Sequence, residues 1–327
     1  MSEAVKAKFH GMSDLEIDVK DRPGPASPRG PKFAAATEPS YAHTLFFGQD
    51  GLRPGWGFAF YVVAFLTIQQ FAVQLAWAHD FGDSGLWSRM LEEFGDVLAA
   101  LIPAVVLARV ERRTWSVYGL PGRQAFGRLF WIGALWGFVG ISLVIVALYE
   151  AHAFAFGHIV LKGTRLLRFV GFWTVYFVLV GLFEDFLFRG YSQFTLARGI
   201  GFWPAALVLS CIFGLIHRGN EGERWSGVLI AIFIALFFCL TLRRTGNLWF
   251  AIGFHAAWDW GETFFYSVPD SGMVWPGHLL SSSLRGPAWL TGGSVGPEGS
   301  LLCFVVIALV CAAFARVYPR SCTSPSG

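Results

Sequence analysis

Eight apolar runs, at about 55–78, 94–110, 127–149, 166–198, 202–217, 226–242, 247–266 and 300–317, set the limits on what this chain can become. A hydrocarbon layer about 30 Å thick takes roughly 20 apolar residues in a helix. Inside that layer every backbone amide must find its partner within the protein, so only helices and closed barrels span it. Barrel strands would read as alternating segments of about 10 residues, whereas "AFGRLFWIGALWGFVGISLVIVALY" is apolar without alternation. The expectation is an all-α, polytopic membrane helix bundle of about eight transmembrane helices. Composition agrees, since 14% of the 327 residues are charged, against about 25% in an ordinary soluble domain.

An even helix count puts both termini on one side. Lysines and arginines concentrate in the N-terminal segment, around Arg109–Arg128, at Arg198, Arg243 and Arg244, and at Arg316 and Arg320, with fewer in the alternate connections. The positive-inside rule then places both termini in the cytoplasm of a multi-pass cell-membrane protein. Net charge is only +3, with no basic run to track a phosphate backbone, so the expected partner is the lipid bilayer and not nucleic acid. Of the cysteines, Cys211, Cys239, Cys303 and Cys311 lie in apolar runs and none forms a CxxC pair; they read as small core residues. Cys322 is followed by five residues, so the chain does not itself end in a prenylation box.

Residues 1–50 are polar, with "DRPGPASPRGPK", and read as a disordered cytoplasmic tail ahead of a membrane-embedded domain at 51–320. The connector at 112–128 mixes arginines with Trp115, Tyr118 and Phe126 and reads as an inner-surface segment. A Gly-, Pro- and Ser-rich stretch at 267–300 reads as a lid, a binding loop or a tether.

Ionisable groups at bilayer depth cost several kcal/mol when unpaired, so they face the protein interior and mark function. The candidates are Glu184, Asp185 and Arg189 in the fourth run, His217 at the end of the fifth, and His255, Asp259 and Glu262 in the seventh. Asp185 and Arg189 stand four apart, the spacing of an ion pair on one helix face. Glu184 sits about 100° round the helix from Asp185, which leaves it the carboxylate without a local partner. His255, Asp259 and Glu262 make one polar stripe, with Asp259 placed to orient the His255 ring, and Phe213 lies one turn before His217. By contrast, Glu92, Glu93 and Asp96 read as an interfacial cluster at the outer start of the second run. If the fourth helix runs unbroken to Gly199, Glu184 and His217 lie about 22 and 24 Å from the shared inner turn. They would then reach one depth, and His255 joins them if that turn projects about 10 Å beyond the inner surface.

Three motifs in order resemble the CPBP intramembrane peptidases, the group holding the type II CAAX prenyl endopeptidases and bacteriocin-processing or immunity proteins. The family pattern E-E/D-x-x-x-R, F-x-x-x-H, H-x-x-x-N/D stands here as Glu184-Asp185-Phe-Leu-Phe-Arg189, Phe213-Gly-Leu-Ile-His217 and His255-Ala-Ala-Trp-Asp259, within residues 166–266. The resemblance implies three central helices forming a buried polar site in a glutamic endopeptidase of membrane-associated, prenylated or otherwise hydrophobic peptides, with no metal or other cofactor. Glu184 would activate water held by His217, while His255 and residue 259 would stabilise the oxyanion, with Asp185, Arg189 and Phe213 in support. Where many members have Asn, this chain has Asp259. An ionised carboxylate cannot donate to an oxyanion, and orienting His255 is the role that suits it. Other readings remain open: a zinc protease, for which two histidines and carboxylates are at hand but no HExxH, and a non-catalytic immunity or scaffold protein of the same fold. A transporter would be expected to show internal repeats, and none is evident.

Overall fold

The computed structural model describes residues 41–49, 51–78 and 85–319. The polar tail up to residue 40 and Cys322 lie outside the described residues. Phe47–Gly48 pairs antiparallel with Gly51–Leu52.

Among the described residues there are nine principal helices: α1 Pro54–Ala78, α2 Leu86–Val110, α3 Arg128–Glu150, α4 Gly163–Arg189, α5 Tyr191–Ile200, α6 Phe202–His217, α7 Trp225–Thr245, α8 Trp249–Asp259 and α9 Leu301–Val317. Among the described residues four stretches, Pro54–Ala76, Arg128–Glu150, Gly163–Ile200 and Trp225–Thr245, are long and apolar enough to cross a membrane. Helices α6 and α9 are apolar but shorter. Side chains such as Trp131, Leu135, Leu143, Ile216, Leu229 and Leu309 stand exposed on the outside, while Asp185, Arg189, Asp259 and Glu262 are buried. That inversion of the water-soluble pattern marks a multi-pass membrane protein.

The helix expected to run unbroken over 166–198 is in two pieces. As one unit, Gly163–Ile200 has 38 residues, a length of about 57 Å, nearly twice the hydrocarbon thickness. It breaks at Gly190, whose φ of −85° and ψ of −113° leave the helical region, and where a Cβ would crowd the Phe186 ring. The seventh run also changes character: α8 stops at Asp259 and continues as a π-helical turn, Trp260–Phe265. Such wide turns concentrate at functional sites.

Helix α8 is gripped by α3 through glycines. A Cβ at Gly133, Gly137 or Gly253 would overlap the carbonyl oxygen of Phe250, Phe254 or Phe130 respectively, so the two backbones touch across a small-xxx-small seam. The connector at 112–128 sets the other end of α8. Leu248 N–H donates to Gly119 O at 2.7 Å, and the Trp249 indole N–H donates to Pro121 O at 3.2 Å. Because its neighbour is backbone that cannot turn aside, Gly137→Ala should destabilise the bundle by about 1–3 kcal/mol through overpacking. Gly171→Ala, where nothing lies within 4 Å of the added methyl, should be neutral or stabilising through helix propensity. Thermal melting of the two variants in detergent checks this; equal melting temperatures would contradict the backbone-contact account.

Candidate active site

Asp185 lies on the inward face of α4, wholly buried, and accepts from Arg189 Nη1 at 2.9 Å. The guanidinium sits over two aromatic faces, Phe213 of α6 at 4.6 Å and Phe238 of α7 at 5.4 Å to the ring centroids. Such contacts strengthen when water is excluded. Phe213 thus joins two motifs, because its other side meets the His217 ring at 4.5 Å between centroids. The Phe213 carbonyl oxygen lies 2.8 Å from His217 Nδ1. A carbonyl only accepts, so Nδ1 donates, and Nε2 is left as the acceptor of the Nδ1–H tautomer.

His255, on α8, is ringed by carboxylates. Its Nδ1 lies 3.5 Å from Asp185 Oδ2, and its Nε2 lies 3.6 Å from Glu184 Oε2 and 3.5 Å from Asp259 Oδ2. Glu184 therefore has a basic neighbour after all, supplied by α8 across the helix interface. Asp259 faces Nε2, the nitrogen turned toward Glu184, while Asp185 faces the opposite nitrogen. Asp185 and Asp259 thus face the two ring nitrogens of His255 at the same distance.

Glu184, His217, His255 and Asp259 line a single cavity of about 170 Å³. Three further carboxylates line it: Glu93 of α2, and Asp270 and Glu298 of the 267–300 stretch. No lysine or arginine is among the lining residues. The expectation that Glu92, Glu93 and Asp96 form an interfacial cluster is thus corrected for two of them. Helix α2 packs against α4, which turns Glu93 into the cavity and buries Asp96. Glu262 leaves the expected stripe. It is fully buried outside the cavity lining, accepts the Trp258 indole N–H at 3.0 Å, and its carbonyl oxygen accepts from Val268 N–H at 3.1 Å.

The 267–300 stretch is a fitted cover. Ser283–Leu284 pairs with Phe154–Ala155, Gly272 N–H donates to Val295 O at 2.9 Å, and the Asn220 side chain donates to Ser271 O at 2.9 Å. Asp270, Ser271, Met273, Trp275 and Glu298 reach the cavity from it. Burial, together with the Glu298 charge, pushes the Asp270 carboxyl up to about 8. Asp270 and Glu298 were legible only as loop acids beside proline and glycine in "SVPDSG" and "VGPEGS", with no periodicity to aim them.

Among the described residues, the three-membered group spaced to hold a metal is Asp259, Asp270 and Glu298, with one oxygen of each within 4.8 Å of the others. It contains neither histidine, and an all-oxygen set is not the nitrogen- and sulfur-rich donor set of most zinc sites.

Residues 165–261 match the family model described as type II CAAX prenyl endopeptidase Rce1-like. These residues are similar to that family. The Rce1-like segment holds all three motifs, from Glu184 to Asp259, and ends before Glu262, Asp270 and Glu298. A comparison with curated proteins returned no match.

Proposed function

We propose that this protein is an intramembrane glutamic endopeptidase acting on a membrane-associated peptide, prenylated or otherwise hydrophobic. The observation that carries the reading is the meeting of Glu184, His217 and His255, from three separate helices of the Rce1-like domain, in one cavity large enough for water and a peptide carbonyl. His217 Nε2 accepts a hydrogen bond from one O–H of a water molecule and so aims it. Glu184 takes the proton of the other O–H as the water oxygen bonds to the carbonyl carbon. His255, protonated among its carboxylates, donates from Nε2 to the developing oxyanion, and Asp185 balances its charge at Nδ1. Glu184 then returns its proton to the amide nitrogen as the C–N bond breaks. Asp259 faces the same Nε2 and shares in holding the His255 charge.

In this reading about eight helices cross the cell membrane with both termini cytoplasmic, and the 267–300 cover lies at the opposite end. The test is a comparison of peptide termini in the membrane proteome of cells carrying the wild-type chain or Glu184→Gln. Discrete C- and N-terminal pairs present only with the wild type are expected. Identical termini in the two would point instead to a non-catalytic protein of this fold.

A further inference from the structure

We propose that Asp259, Asp270 and Glu298 bind one divalent cation of the oxygen-preferring kind, calcium, magnesium or manganese. The inference does not depend on the peptidase reading, although the site lies in the same cavity wall.

The geometry comes first. One oxygen from each carboxylate lies within 4.8 Å of the other two. Ligands about 2.3–2.6 Å from a single calcium ion are never farther apart than about 5 Å, so the spacing is that of three ligands to one ion, and it suits calcium better than the smaller magnesium. Two of the ligands are already oriented. Asp270 Oδ2 accepts from Thr263 Oγ1 at 2.8 Å. Glu298 Oε2 accepts from Ser271 Oγ at 2.8 Å and Oε1 from the Trp258 indole N–H at 3.0 Å. Donors that fix carboxylates from behind are the usual outer support of a metal site.

Asp259 points independently to a ligand. It is 7% exposed, lines the cavity, and has as its base His255 Nε2 at 3.5 Å, which Glu184 shares. One imidazole shared between two carboxylates leaves negative charge over, and Asp259 is turned toward two further acids. Glu262 adds a fourth acid close behind, since the Trp258 indole N–H that reaches Glu298 also reaches Glu262 at 3.0 Å. Glu262 Oε1 has no hydrogen-bond partner among the described residues. The local surplus of negative charge is what a divalent ion neutralises, and hard oxygens without sulfur or imidazole select the alkaline-earth or manganese ions over zinc. The same site answers the departure at position 259: with a cation bound, a carboxylate there becomes the anchor of a positive charge.

Terbium, a luminescent stand-in for calcium, tests this on the full chain in detergent after chelator treatment. Bound beside Glu298 it lies next to the Trp258 indole and should give saturable tryptophan-sensitised emission, displaced by calcium or manganese. Glu298→Gln and Asp270→Asn should each weaken terbium binding at least about ten-fold, the scale on which metal sites respond to lost support. Glu93→Gln, which lines the cavity from α2 and is not one of the three ligands, should leave it within about two-fold. A second readout guards against misfolding: calcium should raise the melting temperature of the wild type and of Glu93→Gln, but not of the two ligand variants. The absence of saturable emission, or equal weakening by Glu93→Gln, overturns the proposal.

Discussion

Glu184→Gln should lower the turnover of purified protein on a cleavable hydrophobic peptide by about 10²–10⁴-fold, the share general-base catalysis commonly supplies, with little change in KM. The substitution keeps the size and one oxygen of the side chain and removes its capacity to take a proton. Glu184 also faces His255 Nε2 at 3.6 Å, so the loss of its charge weakens the attraction that favours a protonated ring, and both effects act in the same direction. Asp185→Asn should act differently. It leaves the base in place and disturbs His255 from Nδ1, 3.5 Å away, so turnover falls while the pH profile moves with the altered imidazole. Turnover by Glu184→Gln above a tenth of the wild-type value would remove Glu184 as the base.

Local spacing in the sequence carried the parts of the site that lie within one helix. Asp185 with Arg189, and Phe213 with His217, are four apart, and each pair touches in the structure. What spacing cannot convey is which partner a neighbouring helix brings. The link from Phe213 to Arg189, the approach of His255 to Asp185 and Glu184, and the inward turn of Glu93 all arise from helix–helix contacts set by backbone seams such as Gly137 on Phe254. The break in the fourth helix is not legible because Gly190 in an apolar run has no distinguishing signal; glycine is common in membrane helices, and only the excess length argues for a break. Asp270 and Glu298 were hidden for the opposite reason. Their segment lacks any period, so nothing in it told a fitted cover from a tether.

Arg189→Met should destabilise the folded protein by about 3–5 kcal/mol, the effect of removing one partner from a buried ion pair. Asp185 is 0% exposed and Arg189 2%, so the carboxylate left behind cannot turn to water. It must either stay charged, with His255 as its remaining base, or take up a proton. Both alternatives are unfavourable in a site built around its charge. The substitution also empties the space between the Phe213 and Phe238 rings that the guanidinium fills, and Phe213 is the residue whose carbonyl holds His217. The double change Asp185→Leu with Arg189→Met separates these contributions. Replacing a whole buried pair by apolar groups is often close to neutral, so the double variant should recover most of the lost stability in equilibrium unfolding from mixed micelles. It should not recover activity, because His255 has then lost the carboxylate at Nδ1. Arg189→Met within about 1 kcal/mol of the wild type would show that the pair is not what holds α4 against α6 and α7. Recovery of turnover along with stability in the double variant would show that Asp185 serves the fold alone.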